Sequence, residues 1–184
     1  MKFVVVVAAV ICLAACEQSA PVASNAAAPA TATANEAGTP AAAPLGIAPG
    51  SKEAALKLMH DRHEGMEHIG DAAKVIGREL KADAPDLAKV RDGAATIARL
   101  APEVTGWFPA GTGPDIGKTR AKPEIWQKPA DFAAKRDTFQ KQAQAFAAAT
   151  QGSDLAATRA AFAELGKTCK ACHDPYRAEK GGHD

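Results

Sequence analysis

From residue 51 onward, the positions that would face a core recur at alternating steps of three and four. That is the period of a helix burying one seam. In a first segment Leu56, Met59, His63, Met66, Gly70, Ala73, Gly77 and Leu80 keep this spacing. Ser51 is placed to cap the segment, and Glu53 sits in its first turn, where a carboxylate suits the helix dipole. A second segment starts near Pro85 and carries Leu87, Val90, Ala94, Ile97, Ala101 and Val104 on the same period. Residues 105–128 break the pattern with Gly106, Pro109, Gly111, Gly113, Pro114, Gly117 and Pro123. This one long connection holds both tryptophans, Trp107 and Trp126, which read as plugs for the bundle end. A third helix is expected from Pro129, with Phe132, Phe139 and Phe146 each seven apart. Gly152 closes it, Ser153 caps a fourth, and Leu155, Phe162, Leu165, Cys169 and Cys172 line one face of that last helix. The expected fold is all-α, an antiparallel up-down-up-down four-helix bundle with a left-handed twist.

The first fifty residues follow another logic. Residues 1–15 read as a lipoprotein signal peptide: Lys2 is the charged start, and the apolar run over residues 3–11 is too short for an ordinary membrane span. Leu13-Ala14-Ala15-Cys16 resembles a bacterial lipobox, in which Cys16 becomes the lipidated first residue. The same residues also suit an ordinary secretory leader cut nearby. Several acyl chains, each buried CH₂ worth about 0.8 kcal/mol, would hold the chain to a membrane. Residues 16–50 would then be the lipidated Cys and an Ala/Pro/Thr-rich tether, too poor in large apolar residues to fold. As a flexible coil it would span roughly 30 Å. The expected place is the bacterial periplasm, on a membrane-anchored lipoprotein, with a bundle domain over residues 51–184.

Charge names no partner. The chain carries 22 Lys and Arg against 21 Asp and Glu. With no basic stripe, neither nucleic acid nor a membrane surface is indicated.

Chemistry concentrates in Cys169-Lys170-Ala171-Cys172-His173, the C-x-x-C-H signature of c-type haem attachment. Two thiols form thioethers with the haem vinyl groups, and the adjacent imidazole ligates iron. On a helix, Cys169, Cys172, His173 and Tyr176 stand at i, i+3, i+4 and i+7 and share one face. A redox dithiol should follow a strand in a βαβ unit, which is missing here. A structural zinc site needs four ligands, and no second Cys/His pair has the spacing. The remaining cysteines are consistent, since Cys12 leaves with the leader and Cys16 carries lipid. An Ala-rich core with few aromatics also leaves one haem c to fill much of the interior.

Taken with these residues, the stretch Cys169-Lys170-Ala171-Cys172-His173-Asp174-Pro175-Tyr176-Arg177, the run Lys122-Pro123-Glu124-Ile125-Trp126, and Phe108-Pro109 before a Gly-rich loop resemble the class II c-type cytochromes, the cytochrome c′ and c-556 family. The resemblance covers about residues 51–178. It implies a four-helix bundle, one haem c per subunit, His173 as proximal ligand and often a homodimer. Arg177 matches the family's basic residue near the haem; a last-turn cation is also what the helix dipole favours.

Within that family the sixth iron ligand divides two functions. Five-coordinate members place a non-coordinating side chain over the iron and bind NO or CO, while low-spin members use a Met sulfur and carry electrons. The first helix resembles the low-spin branch, because Ala55 stands where an Arg is usual one turn before a distal Met59. Height points the same way. If the last helix runs about six residues past His173, that residue lies roughly 9 Å from its end. Met59 is then about 12 Å into the first helix, His63 about 18 Å and Met66 about 22 Å. Met59 is therefore the expected axial ligand, with Leu56, His63, Met66, Tyr176 and Arg177 in the haem pocket. His60, His68 and His183 are expected in solvent. The expected function is a tethered one-electron carrier working with redox protein partners. The alternative is a gas-binding protein with an open distal face. A peroxidase would need polar distal residues, for which His63 is the only inner-face candidate.

Overall fold

The computed structural model describes residues 45–179. Five helices succeed one another: α1 (Lys52–Glu79), α2 (Leu87–Leu100), the single turn α3 (Glu124–Gln127), α4 (Pro129–Ala149) and α5 (Leu155–Tyr176). The four long ones form the expected antiparallel bundle, and the described residues contain no strand, only an isolated bridge between Ala121 and Arg177. The leader, Cys16 and the tether up to residue 44 lie outside the described residues. The folded part begins before Ser51, because Leu45 packs against the core and the backbone of Gly46 abuts that of Gly106.

Local chemistry sets the helix ends. Ser51 accepts from the Ala54 amide at 3.2 Å, as expected. α2 starts two residues after Pro85, because Asp86 takes the capping role and its carboxylate accepts from Ala88 and Lys89. The cap of α5 is likewise Asp154 and not Ser153, with the Ala157 amide at 3.0 Å. Pro102 tightens the end of α2 into a 3₁₀ turn, Ala101–Gly106, that keeps Ala101 and Val104 in the core. α3 falls inside the stretch expected to be a connection.

α1 packs along α2, α4 along α5, and the two pairs meet through α2 and α4. Ile76, Val90, Ala94, Ile97, Ala143 and Phe146 are almost wholly buried along this contact. α1 and α5 are joined at one end, where Arg159 of α5 donates to the Leu80 carbonyl at 2.9 Å and Phe162 lies against Gly77. At the other end the loop after the 3₁₀ turn comes between them.

The seam of α1 differs from expectation. Ala55, Met59, Arg62, Gly65, Ile69 and Ile76 are buried, while Leu56 is 42% exposed and the His63 side chain 65% exposed. The pattern through Leu56 and His63 had assumed a helical neighbour. The loop lies there instead, and its carbonyls satisfy the guanidinium of Arg62. Trp107 fills the groove opened by Gly65, its Cη2 only 2.4 Å from where a Cβ on that glycine would stand. Gly65→Ala should therefore destabilise the protein by about 1–2 kcal/mol despite alanine's helix preference, because the indole must shift out of the groove to admit the methyl group. A urea titration of the haem-loaded protein checks this, read as a lower midpoint at unchanged slope.

Candidate haem site

The last turns of α5 carry the site. Cys169, Cys172 and His173 are half-buried and Tyr176 is buried. The helix stops at Tyr176 with Arg177 as cap, just after Pro175, which has no amide hydrogen to continue the ladder. The long loop then locks this end. The Lys122 amide donates to the Tyr176 carbonyl at 2.9 Å, and the Ala178 amide to the Arg120 carbonyl at 2.8 Å. The Arg120 guanidinium donates to the Ala178 carbonyl from Nε at 3.0 Å and from Nη2 at 2.9 Å.

These contacts set the protonation states. Burial, reinforced by the cations Arg177 and Arg120, holds His173 down to about 4. Its imidazole is therefore neutral at pH 7 and has a nitrogen lone pair free to bind a metal. Burial pushes the Cys172 thiol up to about 11 and the Cys169 thiol up as well. Two buried thiols raised in this way lack the lowered pKa of a reactive dithiol.

An aromatic wall backs this face. The Tyr176 hydroxyl donates a short hydrogen bond to Asp131 of α4, which holds that carboxyl below the usual carboxylate range. Tyr176 meets Phe132 edge-on, ring centres 5.3 Å apart, and Phe132 meets Phe108 at 4.8 Å. The guanidinium of Arg62 lies over the Phe108 ring, 4.8 Å from its centre.

On α1, Met59 is 6% exposed, while Leu56 stands outside it. Gly117 of the loop touches both: a Cβ there would lie 2.7 Å from Leu56 Cδ2 and 3.5 Å from Met59 Cε. Met66 is half-buried against the core. His63 faces out, 3.4 Å from Glu67 and grouped with Glu64, so the inner-face position assigned to it from the pattern falls to Arg62.

Arg62 was not anticipated. It lies three residues after Met59 and four before Met66, a seam spacing that an arginine conceals. Burial lowers it to about 10, so it stays charged at pH 7. Gly117 and Arg120 were also missed, being placed by the loop path, and so was Asp131, which lies on α4 beside Phe132 but off the apolar heptad row.

The chain matches the cytochrome c′ family over residues 57–177. It belongs to that family. It is 35% identical to cytochrome c′ from Alcaligenes xylosoxydans xylosoxydans over 130 residues, 70% of this chain and 91% of the relative. A solved cytochrome c′ with ligand-controlled dimer dissociation superposes with a TM-score of 0.63 at 30% identity, covering 72% of this chain and all of the other. A ferrous variant of the Alcaligenes xylosoxidans protein with bound NO gives 0.61, at 30% identity over 72% of this chain and all of that one. As a cytochrome c′ family member the chain binds covalent haem c, which supplies a redox-active iron. The residues fit the group: Cys169 and Cys172 would carry the thioethers, and neutral His173 stands one residue on as ligand. Tyr176 and Phe132 supply an apolar, edge-on wall on the same side.

Proposed function

We propose that this protein holds its haem iron five-coordinate through His173 and binds NO or CO beneath Leu56, acting as a gas-binding protein and not as an enzyme. The observation that carries this reading is the level at which α5 ends. His173 lies three residues from that end, about 4.5 Å, and not the six the sequence suggested. Leu56 is four residues into α1, about 6 Å, whereas Met59 is seven, about 10.5 Å. Leu56 is therefore closer in level to the imidazole than Met59, and it is an exposed apolar side chain. Met59 is buried beside Gly117. Counted from Leu56, the position one turn earlier is Lys52, which supplies a cation in place of the usual Arg. The NO-bound relative supports the same reading.

The second reading is a low-spin His/Met electron carrier, which Met59 favours by lying on the buried seam one turn from Leu56. Absorption and EPR spectra with and without CO decide between them. High-spin ferric iron and ready CO uptake are expected; a low-spin wild type that ignores CO would overturn the proposal.

The protein is further proposed to sit in the bacterial periplasm, anchored through lipid on Cys16, and to associate as a homodimer, as the relative with ligand-controlled dimer dissociation suggests. A Cys16→Ser chain is expected to leave the membrane fraction and lose its acyl mass. Unchanged membrane association would refute the anchor.

A further inference from the structure

We infer that Arg62 sets access to the distal face of the haem site by fastening the loop that bears Gly117 against Leu56 and Met59. The inference rests on the five-coordinate reading. The loop has little regular structure between Trp107 and Lys122, so something must fix its path over α1.

Arg62 touches that path along most of its length. Nη1 donates to the Trp107 carbonyl at 3.2 Å and to Thr112 Oγ1 at 3.3 Å. Nη2 donates to the Thr112 carbonyl at 3.2 Å and to Thr119 Oγ1 at 3.0 Å. Thr112 in turn donates to the Pro109 carbonyl at 2.8 Å, and Thr119 accepts from the Ala121 amide at 3.2 Å. The side chain is 4% exposed, and all its recorded partners are neutral oxygens and the Phe108 face. An arginine used for charge pairing would have found a carboxylate. This one instead spreads a fork of donors over three points of one loop, the use for which its planar geometry is suited.

What the fork holds down is the segment between Thr112 and Thr119. Gly117 lies inside it and abuts Leu56 Cδ2 and the Met59 thioether. The rotamer of Leu56, and with it the room left for a diatomic ligand, therefore depends on a loop position that Arg62 determines from two turns along α1. Arg62 touches no ligand and acts as a positioning residue.

The test is CO association to the ferrous, haem-loaded protein after flash photolysis, with hydrogen exchange over residues 110–119 in parallel. Arg62→Met is expected to raise the association rate about tenfold and to speed exchange in the loop, with haem content retained. Arg62→Lys, which can reach some but not all of the acceptors, should fall between. Thr119→Val removes one link and leaves the buried cation, so it serves if Arg62→Met does not fold; a rise of about threefold is expected. A wild-type rate in whichever of these variants folds would overturn the inference. So would unchanged loop exchange, which reads the strap even if the wild type takes up no CO and the five-coordinate reading itself fails.

Discussion

Replacing Cys169 and Cys172 together by Ala is expected to give a colourless or haem-losing chain that folds poorly. Both thiols are half-buried on the α5 face that meets Tyr176 and Phe132. Without thioethers, haem would be held by His173 and apolar contact alone. Cys169 and Cys172 pack against the buried core, so loss of the haem leaves that flank of the bundle uncovered. Losing a group larger than any side chain should cost at least the about 3–5 kcal/mol typical of deleting a buried aromatic. Acid–organic extraction and intact mass are the checks: haem stays with the unmodified protein and is absent from the double variant. Extraction of haem from the unmodified protein would end the assignment of these two residues.

The bundle was legible because its signals are local and repeat. Phe132, Phe139 and Phe146 are buried at their expected heptad positions, and Ser51 and Pro129 begin the helices they were expected to begin. The C-x-x-C-H run was legible because helical spacing alone gathers its side chains. The distal side was not, and the reason is physical. A hydrophobic period states which positions can face a neighbour, but a loop neighbour offers carbonyls and admits an arginine. Arg62 thus took the seam position, and His63, one residue on, turned to Glu67 and solvent. The level of His173 within its helix differed for a related reason. It was counted from an assumed helix end, whereas Pro175 and the bridge to the loop stop α5 at Tyr176.

In the five-coordinate reading proposed above, Leu56 and not Met59 covers the iron, and a pair of variants separates the two side chains. Met59→Leu conserves volume in a buried site, so it should cost less than about 1.5 kcal/mol. In that reading it should also leave spin state and CO affinity as in the wild type, since the thioether would only pack beside Gly117. Leu56→Ala should do the opposite. At 42% exposure its truncation costs little stability, yet it removes the side chain proposed to cover the iron. The ferrous protein should then take up CO and NO at least about tenfold faster, equivalent to about 1.4 kcal/mol off the barrier. Stopped-flow or flash-photolysis rates, with EPR of the ferric forms, read both variants. Conversion of a low-spin wild type to high spin by Met59→Leu would return Met59 to the iron and make the protein an electron carrier. Equal CO rates in Leu56→Ala and wild type would remove Leu56 from the ligand's path, and with it the route by which Arg62 was inferred to act.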